Sequence, residues 1–390
     1  MRRKVTLACV AGLLAALGAA GGLSAARATK SSPAADQLPP TITIGATSEK
    51  TGPVPVLGNE AKGYTAAANW INSHGGILGH KVKVIVQDNA GNPANAVSQV
   101  RSYASQGIKL VVGGAFGPDC AAETPVVGQS DLIAFCGSTD NLDPPAPPHF
   151  FGIGLAYTPT IAAYAKVIAR YSKKPAVFAD KDKSGDDSAH YGPLSLKAAG
   201  TSPILIRTST DDASFKASIQ NAISQGADGL WFTECTPAAI SAVGDAQALG
   251  FTGKIYLENC LASFGVAQAL KGLAGDKQQV IVQVPAMLLP GKASRPGEQA
   301  AIDQFKAGVP GPADVVVGSG WDAVMLIKKL LTQTKTLDVA TNEKALEHNF
   351  NFVGVWQGGT MTAKDHRGAT ADGYATAAAF TKDGTFEPLK

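Results

Sequence analysis

Charge is scarce in this sequence. Of its 390 residues 17% are Asp, Glu, Lys or Arg and the formal net charge is +3, with no stripe of basic residues interleaved with aromatics. That excludes nucleic acid as an expected partner. Signatures of chemistry are missing as well: the chain has no Gly-x-Ser-x-Gly elbow and no Gly-x-x-x-x-Gly-Lys phosphate loop, the local marks of acyl transfer and nucleotide binding. The run Gly113 to Gly117 looks like a dinucleotide loop, but it follows the third predicted strand rather than the first and lacks the acidic residue expected further on. His74, His80, His149, His190, His348 and His366 lie too far apart for a local metal motif. The expectation is a protein that is not an enzyme and holds no metal and no cofactor, with long-range triads left open. Past the N-terminal stretch, no apolar run is long enough to span a membrane.

What is present points to an exported α/β protein. Hydrophobic residues make up 45% of the chain and are spread along it, as in soluble globular proteins. The length favours two domains over a single core. Arg2, Arg3 and Lys4 precede an apolar stretch from Val5 to Leu23, and Ala26-Arg27-Ala28 offers small residues for cleavage before Thr29. Residues 1–28 are therefore expected to be a signal peptide, with an uncleaved anchor as the alternative. Cys9 lies inside the apolar run rather than after it, which argues against lipidation. Residues 29–40 are expected to form a flexible leader.

From Thr41 the pattern alternates strand and helix: Thr41 to Ala46, helical spacing from Glu60 to Asn72, Lys81 to Val86, a helix from Asn92-Pro93 to Gln106, then Ile108 to Gly113, a helix to about Ser130, and Leu132 to Phe135. Such alternation implies a parallel sheet covered by helices on both faces. Near Lys174 the pattern restarts, with Pro175 to Ala179, a helix around Leu194 to Ala199, Pro203 to Ile206, a helix from Ser214 to Gln225, and Gly229 to Phe232. Ser105-Gln106-Gly107 and Ser224-Gln225-Gly226 close the same helix in each half. After the next strand comes a cysteine, then a helix, a strand and another cysteine: Cys120 and Cys136 in one half, Cys235 and Cys260 in the other. Without the leader the chain keeps four cysteines, an even number suited to an oxidising compartment. Three pairings are open. Ends of neighbouring parallel strands lie at disulfide-compatible spacing, so Cys120–Cys136 and Cys235–Cys260 are expected. Bridges between the halves would hinder a hinge.

Open α/β sheets bind ligands at the carboxyl ends of their strands. Those ends carry Phe116-Gly117-Pro118-Asp119 and Gly137-Ser138-Thr139 in the first half, and Thr233-Glu234-Cys235-Thr236 and Glu258-Asn259-Cys260 in the second. Backbone amides and the hydroxyls of Ser138 and Thr139 could hold an acceptor such as a carboxylate, while Glu234, Glu258 or Asn259 could take donors. Helix capping is the competing role for each of these polar residues.

The block Ala68 to Val82, with Asn72, Gly75-Gly76-Ile77, Gly79 and Lys81-Val82, is followed by Asp88 to Val97 with Pro93. Together with Val111 to Gly114, Gly137 to Thr139, Phe178 to Gly185, Ala246 to Gly250 and Gly320 to Ala323, it resembles the leucine/isoleucine/valine-type periplasmic binding proteins. The resemblance implies two Rossmann-like lobes with parallel sheets joined by a three-crossing hinge, the type I fold. One lobe would comprise residues 41–151 plus 285–369, the other 152–284 plus 370–390. It also implies an extracytoplasmic, monomeric receptor that captures a small-molecule solute for the membrane permease of an ABC transporter; a sensor signalling to a membrane partner is the alternative. The family's ligand contacts fall on Leu57, on Gly117 or Pro118, on Thr139, on Ser184 or Tyr191, on Cys235 and on Asn259, with Glu258 adjacent. The family's first-lobe disulfide positions fall on Gly91 and Gly117. Where the family has a glutamate for an α-ammonium this chain has Asn259, and an unpaired buried charge is costly. The expected solute is amino-acid-like or, lacking the amino group, an aromatic or aliphatic carboxylate.

Overall fold

The structure, a computed structural model, describes residues 37–389 apart from 140–141, 143–144, 155, 210–211, 213, 275–277, 290, 292, 294, 312–313, 357 and 369–374. The signal peptide expected over 1–28, Cys9 included, lies outside the described residues.

The first lobe runs β1 (Thr41–Ser48), α1 (Glu60–Ser73), β2 (Lys81–Asp88), α2 (Pro93–Ser105), β3 (Leu110–Val112), α3 (Gly117–Val127), β4 (Ile133–Cys136) and β5 (Phe150–Gly152). All five strands are parallel, in the order β2-β1-β3-β4-β5. Because helices cover both faces, β3 and β4 are buried at every residue. The second lobe follows as α4 (Tyr157–Tyr171), β6 (Pro175–Asp180), α5 (Lys183–Ala198), β7 (Ile204–Thr208), α6 (Lys216–Ser224), β8 (Gly229–Phe232), α7 (Pro237–Ala248), β9 (Lys254–Leu257), α8 (Phe264–Ala269) and β10 (Val280–Pro285). The chain then returns through α9 (Glu298–Gly308), α10 (Val315–Thr334), α11 (Val339–Glu347) and the hairpin β11 (Phe350–Val353) and β12 (Gly358–Met361). It ends with β13 (Ala375–Phe380) and β14 (Phe386–Pro388) in the second sheet, whose order is β14-β13-β10-β9-β8-β6-β7.

Strands β6 to β10 of that sheet are parallel, but β13 runs antiparallel to β10 and β14 antiparallel to β13. This antiparallel edge is added to the parallel sheet that the alternation implies. The turn from Thr381 to Thr385, closed by the Thr381 N–H donating to Thr385 O at 2.9 Å, is too short for a parallel crossover.

Two glycines set how the late helix α10 meets the first lobe. A Cβ on Gly63 of α1 would lie 2.1 Å from Val317 O, and one on Gly320 of α10 would lie 2.2 Å from Glu60 O. The helices therefore touch backbone to backbone. Trp321, almost fully buried, packs beside this contact against Phe305 of α9. That crossing brings Glu60 and Ser319 together at the upper end of the first lobe.

Candidate functional site

Strand order reverses between β1 and β3 in the first sheet and between β6 and β8 in the second. Such switch points leave a crevice at the carboxyl ends of the strands, and here both crevices face one cavity. It encloses about 150 Å³ and is lined from the first lobe by Leu57, Glu60, Phe116, Gly117 and the loop Gly137 to Thr139. From the second lobe come Asp180, Asp182, Ser184, the loop Thr233 to Thr236, and Glu258 to Cys260. A volume of this order admits a benzene-sized guest.

Most of the residues expected at the site line this cavity: Leu57, Phe116, Gly117, Gly137, Ser138, Thr139, Ser184, Glu234, Cys235, Glu258 and Asn259. Pro118 and Asp119 do not. Helix α3 already begins at Gly117, so both sit in its first turn. Asp119, 1% exposed, turns inward towards Glu49.

Glu60, Ser319, Tyr157, Ser188 and Trp356 also line the cavity, with no local sequence pattern to mark them. Each arrives there through tertiary packing. Asp322 of α10 accepts from the backbone N–H groups of Val355 at 3.0 Å and Trp356 at 2.9 Å, which holds the Trp356 segment against the cavity. Asp180 and Asp182 are within reach of the strand-end rule, since Asp180 ends β6 and Asp182 lies two residues beyond it.

Several polar residues do serve as caps. Asp182 accepts from the Gly185 N–H at 2.7 Å, Thr236 from the Ala239 N–H at 3.3 Å, and Glu258 from the Asn259 N–H at 3.1 Å. The Thr139 hydroxyl accepts from the Tyr157 N–H at 3.1 Å, across the first passage between the lobes. Capping leaves these side chains at the cavity edge, so the two roles coincide.

The cysteines come to disulfide distance in the expected pairs, with Cα separations of 6.1 Å for Cys120 and Cys136 and 5.9 Å for Cys235 and Cys260. The second pair lines the cavity, while the first is buried in the core of the first lobe. The second ties the loop carrying Glu234 to the loop carrying Glu258 and Asn259.

The electrostatics are one-sided. Glu60, Asp180, Asp182, Glu234 and Glu258 line the cavity, and no Lys, Arg or His does so among the described residues. Behind the first-lobe wall lie Glu49, Asp119 and Glu123, all buried. Burial, and then the charges of neighbouring carboxyls, push Asp119 and Glu123 up to about 8. Burial and the nearby Asp182 push Asp180 up to about 7. Glu60 and Glu234 are raised well above the carboxylate range, again chiefly by burial. Glu234, 3% exposed, accepts from the Thr208 hydroxyl through Oε1, while its Oε2 has no hydrogen-bond partner among the described residues. Among the described residues, no three His, Cys, Asp or Glu side chains are placed to hold a metal ion, and no helix is long and apolar enough to cross a membrane.

Residues 41–384 match the family model described as "Periplasmic binding protein". The chain is 25% identical over 316 residues to a leucine-, isoleucine-, valine-, threonine- and alanine-binding protein of Pseudomonas aeruginosa, covering 79% of this chain and 83% of that one. An extracellular ligand-binding receptor of Rhodopseudomonas palustris superposes with a TM-score of 0.79 at 18% identity, over 90% of this chain and 99% of that one. An ABC-transporter solute-binding protein of R. palustris, solved with 4-hydroxybenzoate, superposes with a TM-score of 0.71 at 17% identity, over 90% and 96%. At such identities the two structures share the fold with this chain.

Proposed function

The chain belongs to the periplasmic binding protein family, and from that premise we propose that it is an exported, monomeric receptor that captures a small organic solute and delivers it to the permease of an ABC importer. The observation that carries this reading is the single cavity at the switch points of both sheets, walled by side chains from each lobe. A solute touching both walls supplies the differential affinity that closes the lobes. Residues 41–151 plus 285–369 would move as one body, and 152–284 plus 370–390 as the other. Leu57, Phe116 and Gly117, the loop Gly137 to Thr139, and Ser184, Glu234, Cys235, Glu258 and Asn259 are the proposed contacts.

Among the solutes expected from the sequence, a simple carboxylate fits least well. Its negative charge would enter a cavity that already holds five carboxyl side chains and no facing cation among the described residues, with no compensation for its lost hydration. The amides of the Gly117 and Gly137 loops could still orient a neutral acceptor on the solute.

Small-angle scattering of the full chain with and without a stoichiometrically bound solute tests the receptor reading. A fall in radius of gyration on binding is expected. An unchanged radius with the solute demonstrably bound in the cavity would sink the closure mechanism.

A further inference from the structure

Building on this receptor reading, we propose that the solute is an organic cation, an amine or guanidinium compound whose positive group is received by Glu234 and whose charge is shared by the other carboxyls of the cleft. The charge balance of the cavity is the first ground. Five acidic side chains, from both lobes, face a space of about 150 Å³ that no basic residue enters among the described residues. Two cations act on this wall from outside the lining, and Arg207 bears on Asp180 and Asp182. Arg207 bonds Asp186 at 2.7 Å and the Ala179 carbonyl at 3.2 Å, and Lys62 acts on Asp314.

The second ground is independent of charge counting. Glu234 is almost fully buried, its Oε1 is occupied by Thr208, and its Oε2 accepts from nothing among the described residues. Glu60, fully buried across the cleft, accepts from the Tyr64 hydroxyl at 2.7 Å through Oε2, while Oε1 has no hydrogen-bond partner among the described residues. The Ser319 hydroxyl beside it also favours its charged form. Buried carboxyl oxygens left without donors are strongly unfavourable. An ammonium or guanidinium presents only donors and a compensating charge, and so answers both deficits at once.

The distribution of the carboxyls argues for an organic cation over a metal ion. They are spread around an organic-sized space, and no three of the described acidic, His or Cys side chains converge as ligands. Leu57, Phe116, Val315, Val316 and Trp356 supply apolar wall between them, which suits methylene groups joining charged ends.

Binding is coupled to protons. The groups in play are Glu49, Glu60, Tyr64, Asp119, Glu123 and Asp314 with Lys62 in the first lobe, and Asp180, Asp182, Asp186, Asp212, Glu234 and Glu258 with Arg207 in the second. A cation favours their ionised forms, so each carboxyl that is protonated in the empty cleft releases its proton to solvent as the solute enters. Affinity should therefore rise with pH.

The test is calorimetry and thermal shift on the full chain with 1,4-diaminobutane, 1,5-diaminopentane and 4-guanidinobutylamine, against succinate, leucine and 4-hydroxybenzoate, each at about 1 mM. At least one cation should bind one to one, raise Tm, release protons and bind more tightly near pH 9 than near pH 6. Glu234→Gln should weaken that binding roughly 10- to 100-fold without lowering the Tm of the unliganded protein. Glu60→Gln carries the same test should Glu234→Gln fail to fold. Binding by succinate, leucine or 4-hydroxybenzoate with all three cations inert would overturn the charge assignment and leave the receptor reading intact. So would the failure of every cation to bind. A cation that binds in the cleft without compacting the protein would instead count against the receptor reading.

Discussion

Asp119 and Glu123 lie one helical turn apart on α3, both facing Glu49 inside the first lobe. Burial and repulsion by neighbouring carboxyls, Glu49 for this pair and Asp182 for Asp180, hold both at about 8 and Asp180 at about 7, above the ordinary 3.8 of Asp and 4.5 of Glu. The folded protein thus binds these protons more tightly than the unfolded chain. Their stabilisation is complete at acid pH and is lost as pH rises through the raised values. The unliganded protein should show its highest Tm near pH 5 and a falling Tm through pH 7 to 9, measured by calorimetry in low-enthalpy buffers; a Tm that climbs across this range would contradict the assignment. Asp119→Asn, nearly isosteric, should raise Tm at pH 8 and flatten the decline, because it removes a charge opposed to Glu49. At the same scale, the strand-end rule reached Glu234 and Asn259, since each directly follows a recognisable parallel strand. It could not reach Glu60 or Ser319. These sit within helices that meet only because Gly63 and Gly320 let two backbones touch, and pairwise glycine contacts across the chain leave no local pattern.

The elements that were legible announced their own ends. Helix α2 starts where Asn92 accepts from the Ala94 N–H at 2.9 Å, with Pro93 behind it, and stops before Gly107 in left-handed conformation. Others concealed themselves. Helix α5 begins at Lys183, well before the stretch around Leu194 that reads as helical, because Gly185, Gly192 and Pro193 depress its propensity while packing overrides them. Val315 to Val317 opens α10 with three β-branched residues, and β13 is written Ala-Thr-Ala-Ala-Ala-Phe, closer to a helix in composition. Strand β5 is only three residues long. Two predictions belong to this scale. Gly320→Ala should destabilise the protein by about 1–3 kcal/mol or more in denaturant unfolding, since its Cβ would strike the Glu60 carbonyl; an unchanged midpoint would refute the backbone contact. Replacing both Cys235 and Cys260 by Ala should lower stability by about 3 kcal/mol and weaken solute binding, because the loops bearing Glu234 and Asn259 lose their tie. A non-reduced digest should yield peptides joining Cys120 to Cys136 and Cys235 to Cys260; a Cys120–Cys235 peptide would defeat this pairing and the hinge with it.

For the whole molecule, the repeat of strand, cysteine, helix, strand, cysteine made two α/β lobes readable, and the cleft follows from placing two switch points face to face. Its electrical character was not readable in the same way. A net charge of +3 for the chain conceals a cavity in which every ionisable side chain among the described lining residues is acidic, because charge is counted over the sequence but felt only where burial removes water. The crossing of α1 with α10 bears on how such a chain comes to be folded at all. The second lobe draws β6 to β10 from one continuous stretch, whereas the first cannot cover α1 until residues near 320 are available. During synthesis, then, the earliest-made half waits longest with its apolar helix face open, and the molecule matures from its middle outwards. Limited proteolysis of nascent chains should find the segment around Trp231 protected before the segment around Tyr64.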